Sequence, residues 1–412
     1  MRKGKSEMKY IVMLGDGMAD YPNDALGKRT VLEAANTPNM DYLAQNGAVG
    51  LAKTVPDGMS PGSDTANLSV MGYDPKIYYT GRSPLEAVSI GIDLDPTDVT
   101  FRCNLVTLSD TDNYEDATMV DYSAGEISTQ EASELINYLN GHFKTENINL
   151  HAGVSYRHCL VIKGAKTGGI MTPPHDISLK PIKEHLPKGE NSELLLSMMK
   201  KSRELLKNHP INIKRMAQGK NPANSCWFWG EGTKPAVTSF EEKFGIKGGV
   251  ISAVDLIKGI GICAGHKCIE VAGATGNYDT NFAGKAKAAV EFLDSGYDYV
   301  YIHVEAADEC GHHNDHKHKV ESVEAIDREI LGYVIPQMEQ RGEPFTILLM
   351  PDHPTPLSLM THVSDPVPFV LYRSDKKLLP NAKVYTEKAA ADTGLYIDRA
   401  CELVNHMIEG KI

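Results

Sequence analysis

Three carboxylates, three imidazoles and one hydroxyl carry the chemistry that can be read from this chain: Asp16, Asp308, Asp352, His312, His353, His362 and Ser63. Aspartate oxygens mixed with imidazole nitrogens form a donor set suited to Mn²⁺, Zn²⁺ or another first-row divalent ion. Asp308 and His312 stand four residues apart, which brings them to one face if the segment is helical. Asp352 and His353 follow a buried-looking apolar run directly, and His362 comes nine residues later. Seven of the fifteen histidines fall between His303 and His362, where uniform scatter would place about two. His313, His316 and His318 within that stretch read as a solvated turn rather than as ligands.

A candidate nucleophile lies in the Gly- and Pro-rich segment Pro56–Asn67, a tight turn before a helix expected to begin near Asp64. Ser63 is then at a helix N-terminus, where free backbone N–H groups and the helix dipole favour an anion. A hydroxyl bound to a metal loses its proton readily near neutral pH. The alternative is that Ser63 only caps the helix.

These residues need elements to hold them. Tyr10–Leu14 is an apolar run cut off by Gly15-Asp16-Gly17, and Val250–Ala253, Tyr299–Val304 and Phe345–Met350 repeat the shape. Between them Ala283–Leu293 and Val320–Met338 have helical patterns. Strand, helix, strand alternation predicts a mostly parallel α/β sheet. Continuous apolar runs predict strands covered on both faces, as in a doubly wound sheet, with functional groups at their C-terminal ends. Residues 85–240 differ, with turn-rich polar stretches and a charged helix from Lys188 to Asn208. The expected organisation is a discontinuous core of residues 1–84 and 241–412 carrying a smaller inserted α/β domain, 85–240. Gly259–Gly265 resembles a dinucleotide-binding loop, but that motif opens a helix after a strand. Here the glycines are expected to close a helix at Ala253–Lys258, and no organic cofactor is expected.

The 412 residues suggest two or three domains, and a composition 42% hydrophobic and 23% charged excludes disordered and fibrous classes. A formal charge of −12 argues against binding to nucleic-acid backbones or anionic membranes. Seven scattered cysteines form neither a zinc ribbon nor a disulfide framework. With no signal peptide and no apolar stretch of membrane-spanning length, a cytoplasmic protein is expected.

Taken together, Gly15-Asp-Gly-Met18, Pro61–Asn67, Gly72-Tyr-Asp-Pro75, Tyr79-Thr-Gly-Arg82, Gly273-Ala-Thr-Gly276, His303–His312, Asp352-His353, and Thr361-His362 before Pro366-Val-Pro368 resemble the archaeal type of cofactor-independent phosphoglycerate mutases. That family lies within the alkaline phosphatase superfamily, and the likeness spans nearly the whole chain. It implies two divalent metal ions, Mn²⁺ or Zn²⁺ ahead of Mg²⁺ or Co²⁺. One would be held by Asp308, His312 and His362, the other by Asp16, Asp352, His353 and the Ser63 hydroxyl. It also implies that Ser63 takes the phosphoryl group and returns it to the other hydroxyl of the retained glycerate, interconverting 2- and 3-phosphoglycerate in glycolysis and gluconeogenesis.

Phosphoryl transfer asks mainly for in-line positioning and charge neutralisation. An inserted domain would exclude water and bring cations to the substrate carboxylate. Arg157 is the first candidate for that contact, with Arg102 and Lys258 behind it. One departure stands out: where archaeal mutases often resemble Leu-Arg-Gly-Ala-Gly, this chain has Trp227-Phe-Trp-Gly-Glu-Gly232. Bacterial relatives with the Trp-rich version have been proposed to phosphorylate homoserine. A related metal-dependent phosphotransferase, such as a homoserine kinase, or a phosphatase is therefore the alternative.

Overall fold

Every residue of the Lys9–Gly15 strand is buried, as are those of Tyr299–Val304 and Phe345–Met350. A strand with no exposed alternate residue must be covered on both faces. The computed structural model describes residues 8–412. They form two units: the chain through Tyr79 together with Val237–Ile412, and Thr80–Ala236.

The first unit is built on an eight-stranded sheet. Its order runs Lys267–Cys268, Gly248–Ile251, Tyr299–Val304, Lys9–Gly15, Phe345–Met350, Val367–Arg373, Ala48–Ala52, Tyr396–Ile397. All neighbours are parallel except Val367–Arg373, which runs antiparallel to both of its partners. Mostly parallel strands linked by helices make the expected doubly wound α/β sheet. Gly15 pairs with Val304 and Leu14 with Met350, so three adjacent strands end level. The segments that follow them carry Asp16, Asp352 and, on the helix Ala306–His312, Asp308 from one edge.

The second unit has its own apolar core and an antiparallel sheet. Val99–Leu108 pairs with Met119–Asp121, Arg157–Ile162 and Ser225–Thr233, and Arg157–Ile162 pairs with Ile148–His151. Two long helices, Thr129–Phe143 and Ser192–Leu206, contribute Leu135, Leu139, Leu195 and Met199 to that core.

Two helices differ from expectation. The charged helix begins at Ser192 rather than Lys188, because Lys188–Gly189 pairs with Gly169–Ile170 and Asn191 adopts a left-handed φ of 60°. Gly259 and Gly261 do not close a helix but lie inside one, Asp255–Cys263. A Cβ on Gly261 would meet Val250 Cγ2 at 2.7 Å, so the glycine lets this helix press against the sheet.

Candidate active site

Asp308 and His312 lie on the helix Ala306–His312, so their four-residue spacing does put them on one face. His312 Nε2 is 3.3 Å from Asp308 Oδ2, His362 Nε2 is 3.3 Å from Asp308 Oδ1, and the two ring nitrogens are 2.9 Å apart. His312 Nδ1 faces the carbonyl of Met360 at 3.1 Å. That bond leaves Nε2 to point at the group.

The second group forms at the ends of the two central strands. His353 Nε2 lies 3.7 Å from Asp16 Oδ1, 3.4 Å from Asp352 Oδ2 and 3.2 Å from Ser63 Oγ. Gly62 takes the cap position and Ser63 is the first residue of the helix Ser63–Val70. The serine therefore does not act as the cap, and its hydroxyl is turned to the histidine.

Five residues that the spacing of motifs did not reveal hold these groups in place. His303 Nε2 is 2.9 Å from Asp16 Oδ2, and its Nδ1 is 3.1 Å from Ser252 Oγ. Asn67, one turn after Ser63, donates to the Ser63 carbonyl and to Asp352 Oδ2, both at 2.8 Å, and accepts from the Tyr301 hydroxyl at 2.6 Å. Thr355 lies between Asp308 and His353. Position i+4 after the serine, and the polar residues interrupting the Tyr299–Val304 strand, were the available signals.

The electrostatics are those of a site built around cations. Burial, reinforced by Asp352, Asp308 and Glu305, raises the Asp16 carboxyl well above the usual range. Burial also works to raise Asp308, but hydrogen bonds from His312 and His362 overcome it and hold the carboxyl well below that range. The bond to Asp308 in turn raises His312 to about 9.

Two imidazole nitrogens facing each other at 2.9 Å need a proton or a cation between them. Asp16 Oδ1 is buried and has no hydrogen-bond partner among the described residues. In each group, Asp308–His312–His362 and Asp16–Asp352–His353, the ligand atoms lie within 4.8 Å of one another. Oxygen and nitrogen donors at that spacing fit a divalent ion in each group.

Of the residues expected to contact the substrate carboxylate, Arg102 and Arg157 belong to the second unit and Lys258 to the first. In the second unit Arg102 Nε lies 2.9 Å from Glu86 Oε2, and Arg82 Nε, which sequence reasoning passed over, lies 2.8 Å from Glu86 Oε1. Burial tends to raise Glu86, but Arg102, Arg82 and Arg157 together lower it. Three guanidiniums thus act on the one Glu86 carboxylate. Trp229 supports one of them: Arg102 Cζ stacks 4.2 Å from the indole, whose Nε1 donates to Asn104 at 2.9 Å. Arg157 is exposed at the start of its strand. Lys258, in the first unit, is paired with Glu270 at 2.8 Å, and His318 stacks on Tyr278 with a centroid distance of 4.0 Å.

The family described as 2,3-bisphosphoglycerate-independent phosphoglycerate mutase matches residues 44–212. The protein of that name from Methanosarcina barkeri is 49% identical over 407 residues, covering 98% of this chain and 100% of the relative. A solved structure from Pyrococcus horikoshii superimposes with a TM-score of 0.81 at 32% identity, covering 98% of this chain and 97% of the other. The cofactor-independent phosphoglycerate mutase from Thermoplasma acidophilum superimposes with a TM-score of 0.68 at 26% identity, covering 98% and 99%.

Proposed function

The chain belongs to the 2,3-bisphosphoglycerate-independent phosphoglycerate mutases, and from that premise we infer that it is an isomerase interconverting 2- and 3-phosphoglycerate by way of Ser63. The observation that carries the residue assignment is the position of Ser63 Oγ. It sits on the first residue of a helix, 3.2 Å from His353 Nε2, at the rim of a group of ligand-type atoms.

Asp308, His312 and His362 would hold one divalent ion, and Asp16, Asp352, His353 and the Ser63 hydroxyl a second; Mn²⁺ or Zn²⁺ suits the donors best. When bound, such ions neutralise phosphoryl oxygens and lower the pKa of a coordinated hydroxyl. The protein's own groups do the rest. Ser63 Oγ gives up its proton and forms a bond to phosphorus as the bond to the substrate oxygen breaks and that oxygen is protonated, giving a phosphoserine. The Ser63 Oγ–P bond then breaks as the other hydroxyl of glycerate, losing its proton, takes the group while Ser63 Oγ is reprotonated. Backbone N–H groups at the start of the Ser63–Val70 helix attract the transferring oxygens. Arg102 and Arg157, joined by Arg82, are assigned to the substrate carboxylate, for which a forked guanidinium is suited. No helix among the described residues is long and apolar enough to cross a membrane.

The test is conversion of 3-phosphoglycerate to 2-phosphoglycerate by the Mn²⁺-restored protein without added bisphosphoglycerate. Conversion is expected, with a phosphate adduct on the Ser63 peptide and a loss of at least about 10³-fold in Ser63→Ala. Undiminished turnover in Ser63→Ala overturns the serine's role. No conversion, with homoserine phosphorylated from a nucleoside triphosphate instead, overturns the mutase reading.

A further inference from the structure

Asp308 of one ligand group and His353 of the other are joined by a single side chain. The Thr355 hydroxyl hydrogen-bonds Asp308 Oδ1 and lies 3.3 Å from His353 Nδ1. A threonine hydroxyl has one proton to donate, and an ionised carboxylate can only accept. The proton therefore goes to Asp308, and the remaining contact requires a proton on His353 Nδ1 that the threonine oxygen accepts. A neutral imidazole with hydrogen on Nδ1 has its lone pair on Nε2. That is the nitrogen lying 3.2 Å from Ser63 Oγ and facing Asp16 and Asp352.

Thr355 is itself held from several sides. Its carbonyl accepts from the fully buried Lys319 Nζ at 2.6 Å, and Lys319 is paired with Asp20 Oδ2 at 2.8 Å. Asp20 also receives the Leu357 N–H, and the Thr355 N–H donates to the Ala19 carbonyl at 3.3 Å, so both sides of Thr355 are tied to the loop that carries Asp16. Two glycines leave room for it: a Cβ on Gly17 would meet the Thr355 hydroxyl at 2.6 Å, and one on Gly311 its carbonyl at 2.6 Å.

We propose that Thr355 is a positioning residue that sets the tautomer of His353 and couples the two ligand groups, so that its hydroxyl governs ion binding at the second group without touching ion or substrate. This rests on the two-ion reading above. A hydrogen-bonding partner of a ligand contributes roughly 10–100-fold in metal affinity.

The experiment compares the full-length wild type, Thr355→Val and Thr355→Ser. Mn²⁺ affinity is measured by competition with a chelator, and the His353 ring is followed by long-range ¹H–¹⁵N spectra of the metal-free protein, assigned through His353→Asn. Thr355→Val should bind the ion at the second group roughly 10–100-fold more weakly and lose the Nδ1–H signature, while Thr355→Ser restores both. Wild-type affinity and an unchanged ring in Thr355→Val overturn the proposal. So does equal loss in Thr355→Val and Thr355→Ser, which would assign the effect to shape rather than to the hydroxyl. If Thr355→Val fails to fold, Thr355→Ala removes the same hydroxyl and is judged by the same outcomes. Absence of Mn²⁺ binding by the wild type overturns the two-ion reading together with this one, whereas an unaffected Thr355→Val overturns this one alone.

Discussion

The Nε2 atoms of His312 and His362 face each other across 2.9 Å, with an Asp308 oxygen 3.3 Å from each. His353 also packs on His362, with ring centroids 4.0 Å apart and planes tilted by 30°. The imidazole of His362 thus turns its Nε2 to one donor set while its ring touches a ligand of the other. Replacing it should affect one ion and spare the other. His362→Gln is expected to bind one Mn²⁺ per chain where the wild type binds two, as measured by metal analysis after equilibrium dialysis. Loss of both ions, or of neither, would contradict separate assignments for the two groups.

Asn67 links the serine helix to Asp352 and is supported from the strand by Tyr301. Asn67→Leu leaves the Tyr301 hydroxyl and one Asp352 oxygen buried without their partner, which costs roughly 1–3 kcal/mol for each unsatisfied group. The expected result is a lowered midpoint in urea unfolding and a lower kcat with KM little altered, because alignment of the nucleophile is disturbed more than capture of substrate. A raised KM at unchanged kcat would place Asn67 in substrate binding instead.

Arg102 lies over Trp229, its Cζ 4.2 Å from the ring centroid, and shares Glu86 with Arg82, and burial lowers it to about 10. Arg102→Lys keeps the charge but loses both the stacking plane and the forked donors, so it is not conservative here. KM for 3-phosphoglycerate should rise about tenfold or more, the effect of losing roughly 1.4 kcal/mol of binding. Steady-state kinetics of this variant beside Arg82→Lys show which guanidinium contacts the carboxylate; an unchanged KM in both removes the cluster from the site.

The strands were readable because a segment buried on both faces is predominantly apolar, as Phe345–Met350 is at every position but Thr346. Asp308 and His312 were readable because helical geometry links positions four apart. Neither rule reaches His303, Asn67 or Thr355. Each touches a partner brought near only by the sheet order, Asp16 being 287 positions from His303 and Asp352 being 285 from Asn67. A lone polar residue in a buried strand carries no period by which its partner could be named. The glycines at 259 and 261 misled for a related reason. Glycine is disfavoured in a helix by about 1 kcal/mol, and only the nearness of Val250 accounts for its presence at 261.

The Glu387 carboxyl, which accepts from the Asp20 N–H at 3.0 Å and the Thr30 hydroxyl at 2.7 Å, is raised by burial to about 7 from 4.5. Between those values the folded protein holds a proton that the unfolded chain has released, so stability falls as pH rises. Its contribution is fully present below about 4.5 and is lost as pH passes about 7, by at most about 3 kcal/mol. Glu387→Gln should flatten this part of the urea-unfolding profile between pH 4.5 and 7. A wild-type slope in the variant would show that the proton is bound elsewhere.

Gly17 follows Asp16 with φ of +61°, and a Cβ there would lie 2.7 Å from Asp308 Cα and 2.6 Å from the Thr355 hydroxyl. Gly27 has a similar φ of +68° with nothing within 4 Å of the added carbon. The two glycines separate backbone strain from crowding at the site. Both alanine variants bear the left-handed conformation, at about 1–2 kcal/mol. Only Gly17→Ala must also displace backbone at Asp308, and a carboxylate moved by a few tenths of an ångström no longer meets His312 and His362 together. Gly27→Ala should therefore lose about 1–2 kcal/mol in urea unfolding and retain its Mn²⁺ affinity. Gly17→Ala should lose more stability than this and most of its metal binding. Equal effects in the two variants would mean that the left-handed turn, and not the space Gly17 leaves for Asp308 and Thr355, accounts for the glycine after Asp16.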